Sequence, residues 1–155
     1  MSRFSAATTS EAVVAADRSV LWAALTDPDL LPRLTPFLES VTADGDHWCW
    51  QLTRFPVLGT SVVPAFTERM SLTPEERIEF THDPPAGKRE PAGAEGRYLL
   101  EDTPEGTRLA IRLEVHVELP LSRFAAPAVN SVMKGVMATM GRRFSANLLA
   151  HVGAA

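Results

Sequence analysis

Few residues of this chain are equipped for chemistry, and Glu68 is the most informative of them. In the run from Val62 to Leu72 it shares its parity with Phe66 and Met70. Side chains of a strand alternate between faces, so a regular strand sends all three to one side. If that side is the core, the carboxyl is desolvated and its pKa rises. It can then orient a ligand hydroxyl or move a proton. The competing reading, slightly preferred on sequence, puts a bulge at Pro64 that flips the register and leaves Glu68 in water. His82 follows the parity of Ile78 and Phe80 at a strand end beside a long loop. It reaches a cavity mouth or is a loop histidine without a role, and the second reading is preferred. Glu68 and His82 are the catalytic candidates, and no catalytic role is assigned to either.

The remaining reactive types point away from chemistry. His116 falls on the polar face of its strand and is expected to be exposed. His47 lies at a turn and His151 near the last residues. No two histidines have metal-ligand spacing on a helix, so no metal is expected. Ser131-Val132-Met133-Lys134 fits the S-x-x-K pattern of serine acylases, but the companion S-D-N and K-T-G motifs are absent. Neither a Walker loop, a G-x-G-x-x-G nor a G-x-S-x-G occurs, and no cofactor is expected. The single cysteine, Cys49, excludes an intramolecular disulfide and a Cys-rich metal site. Between Trp48 and Trp50 it reads as a buried or half-buried small residue.

Composition sets the frame for these residues. A chain of 155 residues is the size of one domain, so residues 1–155 are read as a single unit. Hydrophobic residues make up 45% and charged ones 22%, which suits a packed core. The net charge of −4 argues against nucleic acid, and the pairs Lys88-Arg89 and Arg142-Arg143 are too short to reverse this. No disulfide framework, no signal-peptide core at the first residues and no bilayer-length apolar run are found. A cytoplasmic protein without stable membrane insertion is therefore expected.

The elements that must position the candidates follow from periodicity. Ala6 to Val14 reads as a strand. Asp17 is placed to cap a helix from Arg18 to Thr26. Asp27-Pro28 opens a second short helix, with Pro28 at its first position, ending by Pro36. Val41-Thr42, the turn Asp44-Gly45-Asp46 and the alternation of Trp48, Trp50 and Leu52 make a hairpin. Pro56 to Thr60 is a turn. Val62, Pro64, Phe66, Met70 and Leu72 share one face of the next strand, and Ile78 with Phe80 a face of a short one. Asp83 to Gly96, with three prolines and three glycines, is a long surface loop able to act as a lid. Tyr98 and Leu100 follow. From Arg108 to Glu118, Leu109, Ile111, Leu113, Val115 and Val117 alternate strictly with Ala110, Arg112, Glu114, His116 and Glu118, the mark of a half-buried antiparallel strand. A final helix runs from about Leu121 to His151, with Val129, Val132, Met133, Val136, Met140, Phe144 and Leu148 at helical spacing. Strands grouped between short helices and one long helix point to an α+β fold.

Within this order, Ala15-Ala16-Asp17-Arg18-Ser19-Val20-Leu21-Trp22, then Leu25-Thr26-Asp27-Pro28 and Leu30-Leu31-Pro32, resembles the opening of the START-like or SRPBCC superfamily. That group includes polyketide cyclases, lipid-transfer domains and coenzyme Q-binding proteins. The resemblance extends along the whole chain, because element order and the final amphipathic helix also match. Two features depart from it: Leu34 stands where many members carry tryptophan, and the Gly-Gly pair of the Hsp90-activator branch is missing. The resemblance implies the helix-grip fold, a bent antiparallel sheet of about seven strands wrapped around the last helix with a cavity between them.

On that expectation the cavity is lined by Trp50, Phe66, Glu68, Met70, Phe80, Tyr98, Leu113 and Val115, and closed by Val132, Val136 and Met140 of the helix. Glu68, Tyr98 and His82 are the expected polar contacts. The leading functional expectation is binding or transport of a small hydrophobic or amphipathic molecule: a lipid, isoprenoid or polyketide-like compound. A polyketide aromatase or cyclase is the alternative, and an interaction protein with a filled core the third. On periodicity alone these apolar stripes read as solid core; the resemblance shifts the reading to a cavity.

Overall fold

The long strands follow from the sequence alternation. The computed structural model describes residues 1–155. Strand β9 (Gly106–Leu119) carries the strict apolar alternation and pairs on both sides over most of its length. On one side it meets β1 (Ser2–Val14), from Ser2↔Leu119 to Val14↔Thr107. On the other it meets β8 (Ala92–Thr103), from Ala92↔Val117 to Thr103↔Gly106. With β2 (Leu38–Asp44), β3 (His47–Leu52), β6 (Ala65–Thr73) and β7 (Arg77–His82) these make a curved, fully antiparallel seven-stranded sheet in the order β1-β9-β8-β7-β6-β3-β2. A separate small ribbon joins β4 (Phe55–Val57) to β5 (Thr60–Val62).

Three helices complete the fold: α1 (Arg18–Leu25), α2 (Leu31–Leu34) and the long α3 (Ala126–Val152), which a 3-10 turn at Arg123–Ala125 leads into. Helix α3 buries Val129, Met133 and Leu148, with Val132, Met137 and Phe144 packed beside them. Gly153, at φ 76°, ends it in the left-handed conformation that glycine adopts without a Cβ clash, and Ala154 N–H closes the cap on the Leu149 carbonyl at 2.8 Å. The helix lies against β1, α1 and α2. Asn147 Nδ2 donates to the Leu34 carbonyl at 2.9 Å, tying α3 to α2. This is the helix-grip α+β architecture that the family resemblance implied.

Several local expectations are corrected. Asp17 precedes α1, but its side chain makes no capping bond; its backbone carbonyl accepts from Val20 and Leu21. Pro28 does not open α2. The Asp27 carboxylate instead accepts from the Asp29 and Leu30 amides at 3.0 and 3.3 Å, which turns the chain, and Pro32 occupies the first turn of α2. The segment from Pro56 to Thr60 is the tip of the β4–β5 ribbon, so Val62 and Pro64 lie outside β6. Strand β8 starts at Ala92, so the loop after β7 covers residues 83–91 and stops short of Gly96. Strand β1 begins at Ser2, earlier than Ala6.

Candidate functional site

Cross-strand neighbours share a face, so the ladder registers fix what the concave side presents. Trp50 stands opposite Phe66, Met70 opposite Phe80, and Ile78 opposite Tyr98. Across the next pair, Tyr98 meets Ile111, Gly96 meets Leu113 and Ala94 meets Val115. Glu68 sits between Phe66 and Met70 on β6, with Trp48 as its partner on β3. The structure thus brings Trp50, Phe66, Glu68, Met70, Phe80, Tyr98, Leu113 and Val115 to one side of the sheet. Aromatic rings dominate it: Trp48 and Trp50 have centroids 6.2 Å apart, and Phe80 meets Tyr98 edge-on at 5.8 Å.

Burial along this face is uneven. Phe66, Met70 and Phe80 are buried, while Trp50, Tyr98, Ile111, Leu113 and Val115 are half-buried. On β1, Phe4 and Ala6 are buried, but Thr8 and Ser10, opposite Leu113 and Ile111 on the same face, are exposed. The concave face is therefore open to solvent along the middle of β1. On α3, Val132 packs against the core, whereas Val136 and Met140 are half-buried without joining it.

Glu68 is only 2% exposed, so the bulge reading is overturned: β6 starts after Pro64 and runs in regular register through Glu68. Burial, and secondarily the charge of Glu95, push its carboxyl well above the ordinary range. Burial, then the Glu68 charge, pushes the Tyr98 hydroxyl up to about 12. The Trp50 Nε1–H is buried with no acceptor, and the Asn130 Oδ1 of α3 is buried with no donor. Desolvation favours the protonated form of Glu68, and a carboxyl in that form, on one face with a phenol and an indole N–H, can donate to a ligand oxygen or protonate a carbonyl.

His82 departs from its expected place. Pairing of β7 with β8 stops at Phe80↔Gly96, and the imidazole of the last β7 residue turns to Glu90, with Nε2 3.0 Å from Oε1. Glu90 also accepts from the Thr67 amide and hydroxyl, each at 2.8 Å. His116 is 7% exposed, not open to water; its ring centroid is 4.9 Å from that of His82. Burial, then the Arg3 charge, lowers its pKa. Cys49, on the other side of β3 from Trp48 and Trp50, is exposed, which corrects the buried reading. As site residues, sequence reading also missed Ile78, Ile111, Met137 and Glu90. The two isoleucines are signalled by the parity of Phe80 and Leu113. Glu90 carries no signal, because its partners come from β6 and β7.

A curved antiparallel sheet closed by one long helix defines a helix-grip α+β protein. Residues 5–149 match the family described as polyketide cyclase / dehydrase and lipid transport, and the chain belongs to that family. No curated protein matches the sequence. Among solved structures it is similar to TTHA0849 from Thermus thermophilus, with TM-score 0.71 and 16% identity over 95% of this chain and 97% of that one. It is also similar to the di-domain ARO/CYC StfQ from the steffimycin biosynthetic pathway, with TM-score 0.68 and 14% identity, covering 97% of this chain and 51% of StfQ. The di-domain ARO/CYC BexL from the BE-7585A biosynthetic pathway gives TM-score 0.63 and 13% identity, covering 98% of this chain and 51% of BexL. The chain thus spans about half the length of each di-domain protein. No helix is long and apolar enough to cross a membrane.

Proposed function

We propose that the protein binds a small hydrophobic or amphipathic molecule, a lipid, isoprenoid or polyketide-like compound, between the concave sheet face and α3. The observation that carries this reading is Glu68, a carboxyl only 2% exposed and flanked on its face by the apolar Phe66 and Met70. A solid core is destabilised by a lone carboxyl, whereas a ligand site uses a few polar groups to orient an apolar guest. The half-buried Trp50, Tyr98, Ile111, Leu113 and Val115 supply the apolar surface. Covering it contributes roughly 25 cal/mol per Å² removed from water. A cytoplasmic setting belongs to the same proposal, supported by the lone cysteine. The test is native mass spectrometry of the purified protein against its denatured mass. A small added mass that vanishes on denaturation supports binding. No added mass, with no uptake from a panel of fatty alcohols, quinones and polycyclic aromatics, refutes it.

A second reading, an aromatase or cyclase, draws on the burial of Glu68, which raises its pKa in the direction a general acid needs. Both ARO/CYC proteins share the fold. His82 is held by Glu90, which leaves Glu68 with Tyr98 as the groups for proton transfer. Under this reading Glu68→Gln binds substrate normally and loses turnover by at least about 100-fold. Turnover surviving that change removes Glu68 from the chemistry.

A further inference from the structure

The distribution of charge about the interior says which amphiphile fits. Every lysine and arginine is exposed except Arg18, and Arg18 is occupied by Asp102 at 2.9 Å and the Glu75 carbonyl at 3.2 Å. No lysine or arginine stands at an inward position of β1, β3, β6, β7, β8 or β9. His82 turns to Glu90, and His116 has the opposite parity to Leu113 and Val115. Buried groups without protein partners include the Trp50 Nε1–H of the sheet and the Asn130 Oδ1 of α3; the Glu68 carboxyl and the Tyr98 hydroxyl share the sheet face with Trp50. An organic anion brought here meets the same few donors but no counter-charge, so most of its larger desolvation cost goes uncompensated. A hydroxyl or carbonyl oxygen meets donors.

We infer that the interior selects by charge, taking an uncharged amphiphile whose hydroxyl or carbonyl meets Glu68, Tyr98 and Trp50, and rejecting carboxylates. This rests on the binding reading above and narrows it, since free fatty acids and other anionic lipids are excluded as interior ligands. Burial supports it, because desolvation shifts Glu68 toward its neutral, hydrogen-bond-donating form. The groups about Glu68 are its ladder partners Trp48 of β3 and His82 of β7, and Tyr98 of β8; the charge of Glu95, on the outer face of β8, also reaches it.

The test uses skeleton-matched probes at pH 7 in competition with a fluorescent apolar dye: oleyl alcohol, oleic acid and oleylamine, and 2-naphthol with 2-naphthoic acid. The expected result is that each alcohol binds at least tenfold tighter than its acid. In Glu68→Gln, which keeps a neutral donor, the alcohols still bind and the acids are still rejected. Acids binding as well as or better than alcohols overturn the charge selection while leaving the binding reading intact. Oleylamine binding tightest overturns it in favour of an ion pair with an ionised Glu68. No probe binding overturns the binding reading, and the selection with it.

Discussion

Glu68 is held at 2% exposure with its carboxyl raised by burial, so the folded chain binds its proton more tightly than the unfolded chain does. A carboxyl with a raised folded pKa contributes stability that is complete below its unfolded value and is lost as pH rises through its folded value. Each unit of upward shift corresponds to about 1.4 kcal/mol. Glu68→Gln is therefore expected to match the native protein in acid and to exceed it in stability above neutral pH. Urea denaturation from pH 5 to 9 checks this, and identical pH profiles would place the carboxyl in water. His47 has the same sign with a different cause. Its Nε2 lies 2.7 Å from Asp83 and its Nδ1 2.8 Å from Asp46, so both carboxylates are satisfied only by the doubly protonated ring. Its pKa is raised, with the Asp83 bond as the largest cause. NMR titration should place its midpoint above the ordinary imidazole value, and Asp83→Asn should lower it more than Asp46→Asn. Parity along β6 is enough to single out Glu68 from sequence, but the regular register that buries it depends on pairing with β3 and β7. The same parity argument misplaces His116, because the ring beside it on the outer face of β9 is His82, which stays paired with β6 but lies beyond the last β7–β8 pair.

At the scale of elements, β8 is the least legible strand. Its first half, Ala92-Gly93-Ala94-Glu95-Gly96, has the composition of a loop and reads as one. Small residues are needed there because neighbours occupy the space. A Cβ on Gly93 would lie 2.5 Å from His82 Cγ and 2.6 Å from His116 Cε1, and one on Gly96 would meet the Arg112 carbonyl and the Phe80 ring. These demands come from β7 and β9, outside the segment itself, whereas the alternation of β9 and the stripe of α3 are written within their own segments. Gly96→Ala and Gly93→Ala should each lower stability by about 1–3 kcal/mol through overpacking. Gly135→Ala, on α3 with nothing within 4 Å of the added carbon, should instead raise it by about 0.5–1 kcal/mol, since glycine weakens a helix interior. Three denaturant midpoints decide the matter. A loss at Gly135 matching that at Gly96 would mean that backbone freedom, not close packing, selects these glycines.

For the molecule as a whole, the question is whether the room between sheet and α3 is space or packing. Helix α3 lies closest to β1, α1 and α2, and the half-buried Ile111, Leu113 and Val115 face the side where Thr8 and Ser10 stay exposed. Order of elements and apolar stripes reveal the architecture from sequence, but fill depends on distances between elements that no stripe encodes. Leu113 is the position to probe, because its neighbours Gly96 and Thr8 are small. If the room is space, Leu113→Phe is accommodated: the midpoint of unfolding holds or rises while binding weakens at least about tenfold. For the native protein, a ligand at about a hundred times its Kd adds about 2.7 kcal/mol. At about 2–4 °C per kcal/mol for a chain of this size, that raises Tm by roughly 5–10 °C. The variant should lose most of that rise. If the room is packed, the extra ring has no place to go and the variant loses about 1–3 kcal/mol, with no ligand shift in either protein. That second pattern would favour the interaction-protein reading over both the binding protein and the cyclase, because each of those needs the same space.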